Sequence, residues 1–307
     1  MKRLFVLLLS ISFSTNAQIV TEFRQWYLDK QITNAALLSN APASNVMASF
    51  STGRYEINFP GLTSNFSHYQ YLVSGSYANT NSPHKFGAYV WGQQESSNEL
   101  MLNYAYEMPV GRKTTLSTGL NLGVYDPTDF KNSKVFRYGL SAALQSKNKE
   151  NYVGISFPHM VTLIHKGDFI QGDFSALILQ GGYTFYLPYD LKFTPAVYLQ
   201  FDVFKPQGPV KPGQSLSVDL GFHYKGLIYV NGAVGVQNFG FERTQLQRFG
   251  AAIRPTPALM IGYQRDALDA TTFKYHSIWL RYSLLDKTAT SKSKTPTKPI
   301  KKAPQRK

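Results

Sequence analysis

Apolar and polar side chains alternate along much of this chain with a period of two. In the segment 214–224, small or polar residues alternate with large apolar or aromatic ones. The two sets are Ser215, Ser217, Asp219, Gly221 and His223, and Leu216, Val218, Leu220, Phe222 and Tyr224. Strict alternation puts one set of side chains on each face of a sheet. Together with 20 Tyr, 21 Phe and 23 Gly, this pattern predicts an all-β protein.

The number and length of these segments favour a membrane barrel over a soluble sandwich. Many of them contain ten to fourteen residues, whereas strands in soluble domains usually contain about 5–6 and a tilted strand that crosses a bilayer needs roughly 9–11. An even strand number closes an antiparallel barrel without leaving an edge in lipid. We predict a transmembrane antiparallel β-barrel of about 14 strands over residues 44–285, with a soluble secreted β-protein as the alternative. The predicted strands lie near 44–54, 62–75, 84–93, 98–109, 113–125, 134–146, 151–157, 173–187, 190–204, 214–225, 227–236, 245–254, 257–265 and 274–285.

The connections between these segments alternate in length. Tight ones are predicted at 109–112, 188–190, 225–226 and 254–257, and longer ones at 126–133, 158–172, 205–213, 237–244 and 266–273. Outer-membrane barrels have short periplasmic turns and longer outer loops. The turn at 79–83 fits this rule less well. The pattern predicts a location in the cell outer membrane with both termini in the periplasm.

The first 17 residues have the form of a secretory signal peptide. Lys2 and Arg3 precede an apolar run from Leu4 to Phe13, and small residues follow up to Ala17. This run is too short for a membrane-spanning helix, which needs roughly 20 residues. We therefore expect an exported chain that begins near Gln18. Residues 18–43 lack clean alternation and are expected to form either a plug in the barrel or a periplasmic segment.

Residues 286–307 form a basic tail with little apolar content, which predicts disorder. They carry eight Lys or Arg against one Asp, which is a charge of +7. Lys2 and Arg3, a further +2, are expected to leave with the signal peptide. The body of the chain therefore holds only +5 of the net charge of +14. The tail either binds an acidic partner, anionic lipid or the cell-wall polymer, or only keeps the terminus solvated. Nucleic-acid binding is not expected, because an exported chain without a recognition motif has no use for it. The cations concerned are Lys292, Lys294, Lys298, Lys301, Lys302, Arg306 and Lys307.

Catalytic and metal-binding motifs are not evident. The six histidines are scattered without ligand spacing, there is no cysteine, and neither a nucleophile elbow nor a phosphate-binding loop occurs. His223 faces the lumen by parity and is the one starting point for catalysis, although a hydrogen-bonded lumen residue is the simpler interpretation. We predict a protein that is not an enzyme and that holds neither a cofactor nor a metal.

Charged residues on the polar faces of the strands are predicted to line the lumen. They either tune the selectivity of a pore or neutralise one another inside a filled barrel, and the second interpretation is favoured because buried charges are usually paired. The residues are Lys192, Asp202, Asp219, Arg248 and Arg281.

Several stretches in the second half of the chain, taken in order, resemble the PorP/SprF family of outer-membrane proteins. They are YVGISFPHM at 152–160, YDLKFTPAVY at 189–198, QSLSVDL at 214–220, and MIGYQRD at 260–266 followed by HSIWLRY at 276–282. The first half is similar only loosely, and the family's NPAYAG signature has at best an altered counterpart at 40–44. The basic tail does not map onto the family.

The resemblance implies a non-enzymatic component of the type IX secretion and gliding machinery of Bacteroidota. Its implied partners are outer-membrane lipid, a secreted surface protein such as an adhesin, and periplasmic components of the machinery. Apolar residues in the predicted outer loops are candidate contacts for the secreted partner, namely Phe169, Ile170, Phe239 and Phe241. The competing function is a diffusion channel or solute transporter with a continuous polar lumen.

Overall fold

A computed structural model of the chain describes residues 29–40, 44–59, 62–79, 82–93, 97–127, 133–166, 169–173, 176–202, 214–239, 242–268 and 273–284. The predicted signal peptide, residues 18–28 and 41–43 of the segment 18–43, and the basic tail lie outside the described residues. None of the described helices is long and apolar enough to cross a membrane.

The described chain consists of two short 3-10 helices, Lys30–Ile32 and Ala35–Asn40, followed by sixteen strand segments. The segments are β1 Asn45–Phe59, β2 Leu62–Ala78, β3 His84–Gln93, β4 Ser97–Pro109, β5 Thr114–Pro127, β6 Ser133–Ser146, β7 Tyr152–Lys166, β8 Phe169–Asp173, β9 Ala176–Gly182, β10 Phe185–Leu187, β11 Leu191–Asp202, β12 Gln214–Tyr224, β13 Ile228–Phe239, β14 Glu242–Ile253, β15 Leu259–Leu268 and β16 Phe273–Ser283.

Consecutive strands pair antiparallel all the way round, and β16 returns to pair with β1, so the sheet closes into a barrel. The segments β8, β9 and β10 are successive pieces of one wall strand. Strand β7 pairs first with β9 and then with β8, while β11 pairs with β10 and then with β9. Counting these pieces once gives a barrel of 14 strands. The predicted fold and strand number are confirmed.

The barrel is apolar outside and polar inside. On β1, the outward Val46 and Phe50 are 49% and 51% exposed, while the inward Ser49 and Ser51 are buried. A soluble domain would bury the first pair and expose the second, because burying polar groups costs free energy unless they are hydrogen-bonded. An apolar outer surface around a closed barrel is the arrangement required in lipid.

Tight turns and both barrel termini lie at one end of the barrel, which we call the turn end. The main chain links neighbouring turns there: Lys147 donates to Lys113 at 2.9 Å, and Arg254 donates to Leu227 at 2.7 Å. The barrel closes at the same end, where the Leu284 nitrogen donates to the Ser44 carbonyl at 2.7 Å. The residues predicted as short turns therefore lie together with the termini.

Two of the predicted long loops are wrong. Strand β7 continues to Lys166 and β8 begins at Phe169, so 158–172 is mostly strand. Strand β13 continues to Phe239 and β14 begins at Glu242, so 237–244 is a tight hairpin. A strand that continues beyond the bilayer can contact water on both faces. The alternation of apolar residues then ends before the hydrogen-bonded strand does, and the sequence pattern predicts a loop where β7 and β13 continue.

Candidate functional site

The lumen contains residues 29–40, which we call the plug segment. Its residues 31–38 are all buried, and Thr33, Asn34, Ala35 and Ala36 have no exposed surface. The segment packs against the inner wall formed by β2–β7. Whether residues 18–43 form a plug or a periplasmic segment could not be decided from the sequence; this part of them lies inside the barrel.

Local hydrogen bonds bend the plug segment into its two 3-10 turns. The Asp29 side chain accepts from the Gln31 nitrogen at 3.2 Å, as an N-cap does. The Asn34 side chain accepts from the Ala36 nitrogen at 3.0 Å, which is the two-residue reach typical of asparagine in turns. Asp29 also accepts a hydrogen bond of 2.5 Å from Ser74 of β2, which ties the start of the segment to the wall.

Polar side chains of the wall bind the main chain of the plug segment. Gln145 donates to the Ala36 carbonyl at 2.8 Å, and Ser156 donates to the Thr33 carbonyl at 2.5 Å. The Ser141 hydroxyl accepts from the Ala36 nitrogen at 3.0 Å. Since irregular main chain buried in a barrel must have its polar groups satisfied, these contacts explain how the segment can lie there.

Glycines provide the space for this close approach. A Cβ at Gly119 would overlap the Ala36 nitrogen and lie 2.7 Å from the Ala35 carbonyl carbon. A Cβ at Gly154 would lie 2.6 Å from the Asn34 side chain. Both contacts are closer than real Cβ atoms show, so the wall is shaped for the segment that it holds. We call Gly119, Gly154, Ser141, Gln145 and Ser156 the seat.

A charged cluster lies on the wall away from the seat. Arg248 of β14 binds Asp219 of β12 at 3.2 Å and Asp266 of β15 at 3.1 Å. The side chains of Arg248 and Asp266 have no exposed surface, and that of Asp219 is 8% exposed. Gln264 donates a further hydrogen bond of 2.5 Å to Asp266. We call Asp219, Arg248 and Asp266 the ion cluster.

The remaining predicted lumen residues lie apart from the ion cluster. Lys192 binds Glu150 at 2.7 Å near the turn end. Arg281 lies beside Met47 and Trp279. Asp202 is the last residue of β11, and its side chain is outside the described ones. His223 packs against Tyr229 with 4.4 Å between ring centroids.

The sequence analysis missed Asp266, the plug contacts and a second buried ion pair, Glu99 with Arg137, at 2.7 Å. Strand parity could have placed these charged residues on the inner face. It could not have paired them, because partners such as Glu99 and Arg137 are far apart in sequence. In the part of the chain that the structure describes, no group of three or more metal-ligand side chains converges.

The predicted partner contacts occupy different positions from those expected. Phe169 and Ile170 are the first two residues of β8, and Phe239 is the last residue of β13, so all three belong to strands rather than to long loops. Phe241 and the tail residues from Lys292 to Lys307 lie outside the described residues. The three strand residues lie at the barrel end opposite the turn end.

A protein-family comparison identifies the chain. The model of the type IX secretion system membrane protein PorP/SprF matches residues 52–267. The chain belongs to this PorP/SprF family. The match includes the strands β2–β14 and the ion cluster, and it extends the resemblance seen in the sequence into the first half of the chain. No curated protein matches the chain significantly.

Solved outer-membrane barrels share the fold of this PorP/SprF protein. The outer membrane protein Omp33 of Acinetobacter baumannii aligns with a TM-score of 0.52 and 8% identity, covering 79% of this chain and 99% of its own. A mutant TodX monoaromatic hydrocarbon channel aligns with a TM-score of 0.55 and 9% identity, covering 83% of this chain and 94% of its own. A FadL homologue of Pseudomonas aeruginosa aligns with a TM-score of 0.52 and 10% identity, covering 81% of this chain and 92% of its own. The protein is an outer-membrane β-barrel.

We expect Lys30 to make the seating of the plug segment dependent on pH. Burial lowers the pKa of its ammonium from 10.5 to about 7, Arg281 acts in the same direction, and Asp29 opposes both. At a pH between these two pKa values, Lys30 is protonated in a released segment and neutral in the seated one. Seating therefore strengthens as the pH rises from about 7 and does not change below it.

This dependence can be measured with a cysteine at the buried position 37, because the natural chain has none. The maleimide labelling rate of Leu37→Cys is divided by that of Leu37→Cys/Lys30→Met, because this ratio cancels the intrinsic pH dependence of the thiol. We expect the ratio to fall between pH 7 and pH 9. A constant ratio of the two rates over this range would show that Lys30 does not titrate on release.

Proposed function

We propose that this protein is a non-enzymatic component of the type IX secretion and gliding machinery that anchors or helps deliver secreted surface proteins such as adhesins. Membership of the PorP/SprF family supports the link to secretion. The observation that carries the proposal is the occupied lumen: residues 31–38 are buried against the inner wall. A barrel filled in this way is suited to hold and position polypeptide rather than to pass solutes.

The competing function is a diffusion channel. Its support is the fold shared with a monoaromatic hydrocarbon channel, and at 9% identity that likeness extends no further than the fold. A channel needs a continuous polar path. The plug segment and the ion cluster both occupy the inner face where such a path would run.

The two ends of the barrel have separate roles in this proposal. The turn end and the basic tail face the periplasm and dock machinery components, with Lys292, Lys294, Lys298, Lys301, Lys302, Arg306 and Lys307 available for acidic surfaces. The opposite end faces the secreted partner, with Phe169, Ile170 and Phe239 in its strand segments and Phe241 as a further candidate contact from the sequence.

Deletion of the gene tests the proposal directly. We expect mass spectrometry of the cell surface and the medium to show selective loss of one or a few large secreted proteins from the surface, with other outer-membrane proteins unchanged. Re-expression of the natural chain is the control. An unchanged secretome would refute the secretion role and make solute uptake the leading function.

A further inference from the structure

We infer that the seat is a peptide-binding site, which the plug segment occupies in cis and which takes a short segment of another polypeptide in trans. The identity of the trans ligand, a segment of a secreted protein with two adjacent small residues followed by aliphatic ones, rests on the proposed function. The existence of the site rests on the geometry of the inner wall alone.

The first argument is that the seat recognises main chain. Gln145 and Ser156 donate to the carbonyls of Ala36 and Thr33, and Ser141 accepts from the Ala36 nitrogen. None of these three contacts involves a side chain of the plug segment. Any peptide that follows the same main-chain course can make them, as in other modes of peptide recognition that use main-chain hydrogen bonds for affinity and pockets for specificity.

The second argument is that the wall selects for residue size. Ala35 and Ala36 have no exposed surface, and the missing side chain at Gly119 is filled by their main chain. Leu37 packs in a small apolar cluster with Ala143 and Tyr152. The preferred ligand therefore has two small residues at the close approach and an aliphatic residue immediately after them.

The third argument is that the plug segment is built to be exchanged. It contains only two 3-10 turns, a geometry that is weak on its own. Its contacts lie near the turn end: Gln145 is the second-last residue of β6, and Ser156 is the fifth residue of β7. Since β1 begins at Asn45 at the same end, the segment can leave the seat without crossing the barrel.

The experiment uses the full-length chain and a fluorescent synthetic peptide with the sequence of residues 29–40. The cis segment competes at an effective concentration on the order of millimolar, so it must first be weakened without changing the wall. Ala36→Glu does so by placing a carboxylate at a position without exposed surface. Leu37→Ser/Leu38→Ser is a second weakened form, in case the first fails to fold. Heat-modifiable gel migration checks folding of each variant.

We expect saturable peptide binding to both weakened forms and weaker binding to the natural chain. Adding Gly119→Val to a weakened form blocks the seat and should reduce the affinity by about 100-fold. A peptide with Val at the positions of Ala35 and Ala36 is the matched ligand control. Absence of binding to folded weakened forms, or equal binding after Gly119→Val, would overturn the inference.

A reversible lock provides an independent check in the Leu37→Ser/Leu38→Ser form, whose weakened cis segment leaves the seat open to the peptide while the lock is reduced. The Ala36 nitrogen lies 3.0 Å from the Ser141 hydroxyl, so Ala36→Cys/Ser141→Cys is designed to close a disulfide between segment and wall. We expect the reduced form to bind the peptide and the oxidised form to bind none. The proposed function fails separately from this inference. If gene deletion leaves the secretome unchanged while the peptide still binds, the secretion role is refuted and the peptide-binding site stands.

Discussion

Replacing Arg248 with Met is expected to destabilise the barrel by about 3–5 kcal/mol, the usual cost of removing one partner from a buried ion pair. The guanidinium binds Asp219 at 3.2 Å and Asp266 at 3.1 Å, and it has no exposed surface. Its loss leaves two buried carboxylates without the cation between them. The effect should be a large decrease in the free energy of unfolding, measured by urea titration in lipid vesicles through the fluorescence of Trp91 and Trp279.

Two further variants separate the charge from the packing. Arg254→Met removes an arginine from an exposed turn position and should change the free energy of unfolding by less than about 0.5 kcal/mol. Arg248→Met combined with Asp219→Asn and Asp266→Asn removes all three charges together. This variant should recover most of the lost stability, because neutral groups avoid the cost of uncompensated buried charge. If Arg248→Met costs no more than Arg254→Met, the ion cluster is solvated rather than buried.

The wall of the barrel was predictable because lipid imposes a strict rule on each strand. Alternation in the segment 214–224 predicted a strand, and β12 runs from Gln214 to Tyr224. The same parity assigned Asp219 and Arg248 to the inner face. Their mutual contact was beyond the sequence, because Arg248 lies 29 residues from Asp219 and only the register of β12 to β15 brings the two together. Asp266 was missed because the predicted strand ended at residue 265, whereas β15 continues to Leu268.

The lumen and the outer strand ends follow no such rule. The plug segment has no period of two, because its hydrogen bonds are satisfied by wall residues such as Gln145 and Ser156, which are distant in sequence. The ends of β7 and β13 continue as paired strands where the apolar alternation has ceased. The sequence around Gly119 does not indicate that another part of the chain approaches it, and only the three-dimensional structure shows that the main chain of Ala35 and Ala36 does so.

Gly119→Val is expected to release the plug segment while the barrel still assembles. Any Cβ at this position overlaps the main chain of Ala36, and overpacking of this kind costs typically about 1–3 kcal/mol. The Cβ would also overlap the Ser141 hydroxyl of β6, which can rotate away, whereas the main chain of the plug segment must leave toward the turn end. A penalty near 3 kcal/mol lowers the ratio of seated to released segment by about 100-fold.

The measurement is the rate at which maleimide labels a cysteine at position 37, where Leu37 is 2% exposed. Labelling of Leu37→Cys should be slow in the otherwise natural chain and much faster with Gly119→Val. Gly232→Val is the matched control, because a Cβ there lies 3.8 Å from its nearest neighbour, an ordinary contact. It should leave the labelling rate unchanged.

Ion currents through planar bilayers then decide between the two proposed functions. If the plug segment is what closes the lumen, the natural chain should conduct little and Gly119→Val should conduct measurably more, while Gly232→Val resembles the natural chain. Equal and high currents in all three proteins would mean that solutes pass around the seated segment. That result would favour the diffusion channel even if labelling shows that Gly119→Val releases the segment. The lumen would then hold the plug segment and admit solutes at the same time.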